Sequence, residues 1–357
     1  MTSRERVLAA FNHAEPDRVP IDMPFTPEAA EKVIRWLSEE KHIETDSPGL
    51  AAVMGHDILV ASHGVGLSYY SQETEEYTCE WGIGWRWVTL PNGGRYTEMV
   101  HHPLEDASRL SSYYCPDPYK PSRYDRMREL LEKHGKTHAI VGSMGSILFE
   151  PAWHLRGFEA FLTDLVVNRD FVHALLDRIL DYQIASGTII AEMGADIILV
   201  GDDHGTQISL MMSVDTFREF FKPRYARLFS AYKAAKPGLK IAFHSDGNIE
   251  PLLPELIEVG VDIFQAVQPK AIDPARIKNI YGDRLSFWGT VDIQDVMPFG
   301  TPKDVHEEVR LRIETVGRGG GLLLAPSHAI QPDVPLENIL AFYEAVEKYG
   351  MYGEIEI

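Results

Sequence analysis

The chain of 357 residues carries 34 basic against 53 acidic side chains, a formal net charge of −19. That excess repels nucleic acid and anionic membrane surfaces, which are bound through basic patches, and it works against a dedicated polyanion site. Two cysteines, Cys79 and Cys115, make no disulfide framework, and no apolar run approaches the roughly 18 residues of a membrane span, so a cytoplasmic globular protein is expected.

Residues 1–13 read as a short amphipathic helix with Val7, Leu8 and Phe11 on one face, without the apolar centre of a signal peptide. Pro16-Asp17-Arg18-Val19-Pro20 ends it and leads into an extended segment at 19–23. Residues 27–41 place Ala30, Val33, Ile34 and Leu37 at helical spacing. Residues 75–101 alternate and are aromatic, with Pro91-Asn92-Gly93-Gly94 in the middle, which predicts an antiparallel hairpin insertion. From 137 onward strands alternate with helices. The strands are placed at 138–142, 196–200, 240–244, 262–267, 285–289 and 321–325. The helices are expected from Gly157 and at 169–193, 214–235, 249–258, 273–280, 302–317 and 335–349. The grammar predicts one (β/α)8 TIM barrel over 1–357, with an N-terminal helical extension, a β-hairpin insertion and two further strands from the first 136 residues. An open doubly wound sheet would want a glycine-rich loop after its first strand, whereas Gly317 to Gly321 precedes a strand.

Polar clusters follow the strands, where a barrel does its chemistry. His244-Ser245-Asp246 puts two polar side chains on one side of an extended chain, as a metal-ligand pair or as a base with its orienting carboxylate. Asp202-Asp203 offers two carboxylates able to divide acid and base roles, with Gln207 beside them to orient substrate. His328 can complete a ligand set with His244 and Asp246 or bind substrate. Ser143, Glu150, Gln268 and Asp292 sit at or just after other strand ends as candidate substrate contacts. Ser213 is expected to cap the helix at 214 and Asp333 the last helix. Asp57 and His101-His102 give weak signals, and the Trp81, Trp85, Trp87 stripe reads as packing.

Several strings together resemble the uroporphyrinogen decarboxylase superfamily, and within it the methyltransferase-like branch. They are Arg4 to His13 with Pro16-Asp17-Arg18-Val19-Pro20, Glu80-Trp81-Gly82 to Trp85, and Asp202-Asp203 to Gln207. Phe217 to Pro223, His244 to Gly247 with Gly260-Val261-Asp262, Gly289 to Asp292, and Gly319 to Gly321 with Pro326 to Asn338 complete them. The resemblance implies the barrel and a corrinoid-dependent methyltransferase. Its expected partners are a corrinoid-binding protein and a small methylated compound or folate, with a second copy of the chain as a candidate for a homodimer. It also implies zinc, which in the thiol-methylating members activates a thiolate. Those members place cysteines where Asp246 stands and near Ser327, so an O/N donor set here favours a folate, an aryl methyl ether or a methylamine-type compound. True decarboxylases carry an arginine-rich loop where this chain has Ile21-Asp22-Met23-Pro24-Phe25. A porphyrinogen decarboxylase is therefore the alternative, to be revived by two or more arginines at the site. A catalytically silent tetrapyrrole-binding protein and a metal-dependent hydrolase are the remaining readings.

Overall fold

A computed structural model describes residues 1–63, 74–91 and 94–353. In chain order the strands are β1 (Ile58–Ser62), β2 (Glu76–Thr78), β3 (Gly84–Thr89), β4 (Arg95–His101), β5 (Ala139–Ser146), β6 (Ile197–Gly201), β7 (Lys240–His244), β8 (Ile263–Val267), β9 (Ser286–Val291) and β10 (Leu322–Pro326). Seven of them form one parallel sheet in the order β1-β5-β6-β7-β8-β9-β10. Most of their Ile, Leu, Val and Ala residues are buried on both faces, as parallel strands covered by helices require, with Val60 on β1 exposed. The other three pair antiparallel as β2-β3-β4. Asn92 and Gly93 of the expected hairpin turn lie outside the described residues, while Thr89 pairs with Arg95 across it.

Of the two strands owed by the N-terminal third, one is β1. The other is the extended segment at 19–23, which spans the gap between β10 and β1. The Leu324 amide donates to the Pro20 carbonyl at 2.9 Å and the Asp22 amide to Leu324 at 3.1 Å. On the opposite edge the Asp57 amide donates to Ile21 at 2.9 Å. The ring of strands closes there as a TIM barrel.

Alternation then sorts the side chains. Ile58, Ala139, Val141, Ile197, Ala242, Ile263, Trp288, Leu323 and Ala325 form an inner core, and Val7 and Phe11 of the first helix (Ser3–Phe11) join it. These are the inward residues nearest the strand starts, so the helix plugs the lower end of the barrel. Continuing the same parity upward gives Ser143, His244 and Gln265 as the next inward positions.

Local chemistry explains most helix limits. Thr2 and Thr301 make capping boxes with Glu5 and Asp304, and Ser213 accepts from the Thr216 amide. Gly194, at φ 114°, ends the long helix Arg169–Met193. Three expectations need correction. Two helices follow β5 where one was expected: the expected one starts after Gly157 (φ 93°) as Phe158–Val167, and a further helix, Phe149–Arg156, precedes it. The helix at 214–235 is two, Val214–Phe220 and Lys222–Ala235, with Pro223 in the first turn of the second. The last helix is entered through Pro335 with no side-chain cap, so Asp333 does not cap it.

Asp57, a weak signal in the sequence, is fully buried beneath this closure. It accepts from Arg6 Nη1 (2.5 Å), Arg18 Nη1 (2.7 Å) and the Ile21 amide (2.8 Å). Removing the carboxylate leaves the buried Arg6 guanidinium with Asp17 as its remaining carboxylate partner, takes the Asp57 partner from Arg18 and releases the edge held by Ile21. Asp57→Ala is expected to cost about 3–5 kcal/mol of unfolding free energy, read by urea denaturation. A loss under about 1 kcal/mol would remove Asp57 from this role.

Candidate active site

The upper end of the barrel gathers polar groups from β5 to β8 and from the segment after β10. His244 ends β7 and faces inward beside Gln265, its register partner on β8. Gln265 Oε1 lies 2.5 Å from His244 Nδ1, so Nδ1–H donates to it and Nε2 is turned toward the carboxylates. Nε2 stands 3.7 Å from Asp203 Oδ1 and 3.9 Å from Asp246 Oδ1. One ligand atom each from His244, Asp246 and His328 lies within 4.8 Å of the others. Asp246 Oδ1 is buried without a hydrogen-bond partner, while the Asp246 amide donates to Asp203 Oδ1 at 2.8 Å. Two imidazoles and an unpartnered carboxylate oxygen fit a divalent metal, and Gln265 is the outer partner that orients one of them.

Beside this group opens a cavity of about 740 Å³. Glu150, Asp203 and His328 supply polar lining, and Phe25, Phe149, Trp153, Phe158 and Met211 supply apolar walls. The hairpin insertion closes the remaining side through Trp85, Arg95, Thr97 and Met99. Trp81 and Trp85 are buried: Trp85 meets His154 edge-on at 5.7 Å and Trp81 meets Tyr182 at 5.0 Å. The tryptophans thus pack the insertion onto the barrel.

Electrostatics at the cavity follow from burial. Glu150 is raised to about 8 by desolvation and then by the neighbouring Asp203 and Asp202, so it keeps its proton at neutral pH. Its carboxyl lies 2.6 Å from Ser146 Oγ. Burial disfavours the His244 cation, yet Asp246 and Asp203 outweigh that and raise its pKa above the ordinary histidine value. Burial lowers His328.

The adjacent aspartates take different roles, and strand parity explains the difference. Asp203 shares the inward parity of Leu199 and lines the cavity. Asp202 points the other way, fully buried, and accepts from the Leu148 amide (2.9 Å), the Glu150 amide (3.0 Å) and the Tyr225 hydroxyl (2.6 Å). It caps the helix Phe149–Arg156 and thereby sets Glu150, so its expected direct role in catalysis gives way to a positioning one. Glu150 itself stands in the first turn of that helix and not in a loop.

The remaining candidates lie around this group. Gln268 Oε1 accepts from the Gly247 amide at 2.7 Å and holds the loop that carries Asp246. Only glycine fits at 247, where φ is +76° and a Cβ would stand 2.5 Å from the Thr206 carbonyl. Asp292 Oδ1 accepts from the Gln294 amide at 2.7 Å and organises its own turn. Gln207 is exposed on the rim, 3.4 Å from Gln294 Nε2, and does not reach the cavity. Ser143 lies one layer above Val141 and is not among the residues lining the cavity. Sequence reasoning missed Gln265 and Ser146; the inward parity of Ile263 could have marked the first, and only the bulge in β5 between Ser143 and Gly145 sets the second.

The chain belongs to the uroporphyrinogen decarboxylase (URO-D) family, whose model matches residues 88–349. Among its relatives is the methylated-thiol–coenzyme M methyltransferase of Methanosarcina mazei, 28% identical over 100% of this chain and 92% of its own length. The methylcobamide:CoM methyltransferase MtbA of Methanosarcina acetivorans is 25% identical over 98% of both chains. Uroporphyrinogen decarboxylase of Psychromonas ingrahamii is 23% identical over 84% of this chain and 79% of its own. A solved methyltransferase from Methanosarcina mazei has the same fold, with TM-score 0.72 and 21% identity over 98% of this chain and 99% of that one.

His204 shows what the outward parity costs. It is enclosed by Phe149, Phe217, Phe221, Tyr225 and Phe243, with Nε2 2.9 Å from the Tyr225 hydroxyl. Burial lowers it to about 3, and His154 likewise to about 3, from 6.5. The unfolded chain takes these protons first, so the neutral histidines contribute full stability above pH 6.5 and lose it as pH falls toward 3. Buried carboxyls such as Glu150, raised to about 8, pull the other way over the same range, so the histidine contribution is read by difference. Urea denaturation between pH 7 and 5 is expected to show the wild type losing up to about 1.4 kcal/mol per pH unit more than His154→Phe. Parallel pH profiles for the two proteins would contradict burial of His154 in the neutral form.

Proposed function

We propose that this chain is a methyltransferase that moves a methyl group between a small methylated compound, or a folate, and a corrinoid carried on a partner protein. The observation that carries the reading is the convergence of His244, Asp246 and His328 beside a largely apolar cavity lined by Glu150, in a chain alignable end to end with methylcobamide methyltransferases. His244 Nε2, Asp246 Oδ1 and one nitrogen of His328 would hold a zinc ion, which when bound supplies Lewis-acid polarisation of the heteroatom that gains or loses the methyl group. Two neutral imidazoles and one carboxylate leave such a site more electrophilic than one with two thiolates. It therefore suits an oxygen- or nitrogen-bound methyl group better than a thiol.

The chain's own residues supply the rest. The apolar walls exclude water from the transfer. A methyl group that leaves without its bonding electrons leaves the pair on the heteroatom, which then needs a proton. Glu150 carries one at neutral pH, is held by Ser146 and stands at the cavity. Gln265 and Gln268 orient His244 and the Asp246 loop.

The decarboxylase alternative depends on arginines, and Arg95 alone among the residues lining the cavity is an arginine. Convergent groups with displaced pKa values speak against a silent binding protein. A hydrolase reading lacks a third histidine in the group formed by His244, Asp246 and His328.

The test is demethylation of methoxyarenes, methylamines and methyltetrahydrofolate with reduced free cobalamin, followed by its absorbance change, with zinc content measured in parallel. The wild-type protein is expected to transfer from at least one donor and to hold about one zinc per chain. His244→Ala should lower the rate by ~100-fold or more and lose the metal. No transfer from any donor, or release of carbon dioxide from a porphyrinogen instead, would overturn the reading. For Glu150 the rate should be full below about 8 and fall as pH rises through it, because the needed proton is then lost. Glu150→Gln should remove that limb of the pH profile and lower kcat by about 10²-fold.

A further inference from the structure

Most polar groups at the cavity are acidic or neutral, and the chain as a whole is strongly negative. One cation breaks the pattern. Arg95 opens β4, and with Thr97 and Met99 it lies on the strand face that turns toward the barrel mouth; all three line the cavity. On the same small sheet Arg86 is held by Glu76 at 2.6 Å and Glu98 at 3.1 Å. Arg95 forms no ion pair among the described residues. An exposed, unpaired guanidinium on β4 shares one cavity with Asp203, Glu150 and the aromatic side chains of Phe149, Trp153 and Phe158, and that combination defines what the cavity can take.

We infer that the substrate of this cavity is a methyl-bearing molecule with a flat, apolar body and one carboxylate-like anion at the end remote from the methyl group, and that Arg95 reads that anion. The two ends of the site impose the orientation. An anion beside Asp203 would meet a like charge, whereas beside Arg95 it meets a planar donor fork. That polarity carries the methyl end toward His244, Asp246 and His328. The aromatic walls favour a ring between the two ends, since ring faces and edges pack on Trp153 and Phe158 with little entropy to lose. The hairpin insertion is thereby a specificity element, because β4 places the guanidinium.

This inference rests on the methyl-transfer reading of the same site, but its test needs no turnover. The probes are 4-methoxybenzoate and its neutral counterpart 4-methoxybenzamide, titrated against the full-length protein by calorimetry. The wild-type protein is expected to bind the carboxylate ~10-fold or more tightly than the amide. Arg95→Gln should abolish that preference while leaving amide binding in place, and Arg95→Lys should keep part of it. Unfolding temperatures of the variants confirm that the exposed position has not disturbed the fold. Equal affinity for the two probes, an unchanged preference in Arg95→Gln, or binding of neither probe would each overturn the inference. If the carboxylate binds as described but no donor is demethylated, the methyl-transfer reading fails and the anion site stands. Transfer with no Arg95-dependent preference gives the reverse.

Discussion

A single buried carboxylate couples the N-terminal segment of this protein to its barrel. Asp57 holds Arg6 of the plugging helix, Arg18 of the following turn and the amide of Ile21, and its own amide and carbonyl bond Ile21 and Ala139. The segment at 19–23 offers few ladder bonds of its own, so its position between β10 and β1 depends on this charged anchor. Once the ring is closed, the strand tilt and parity are common to all staves, and the inward positions above the apolar layers meet at one mouth. His244 meets Gln265 and Asp203 through the β6-β7-β8 register, and His328, from the segment after β10, joins the same group across the closed mouth.

The site shows how one register decides chemistry. Asp202 and Asp203 are adjacent in sequence and alike in type, yet one caps a helix behind the strand and the other faces the cavity. The capped helix begins with Phe149 and Glu150, so the buried aspartate fixes the carboxyl whose proton the active site retains. His204, next along, is swallowed by an aromatic cage that also anchors Asp202 through Tyr225. A catalytic-looking Asp-Asp-His string is thus one cavity residue and two supports.

The insertion links fold and specificity. Its buried tryptophans attach it to the barrel, and that attachment leaves β4 free to present Arg95 and Met99 to the cavity. Relatives within the family act on different substrates by their names, from methylated thiols to uroporphyrinogen. A common barrel can serve such diversity, because strands fix side chains at its mouth while loops and insertions shape what reaches them.

Much of this was legible in the sequence, and for a definite reason. Strand stubs of Ile, Leu and Val followed by polar clusters and helices repeat with little variation, so the barrel, most strand positions and the pairing of His244 with Asp246 could be read from periodicity alone. The family resemblance rested on short strings that survive at low identity. What the sequence could not supply was anything dependent on two strands at once. The helix at Phe149 exists where a capping aspartate arrives from a different strand. Gln265 gains its role from lying opposite His244 in register, and Arg95 its significance from what stands across the cavity. Local propensity and alternation act within one segment and so are written in the chain; burial, pKa and donor sets arise between segments, and only the closed barrel decided them.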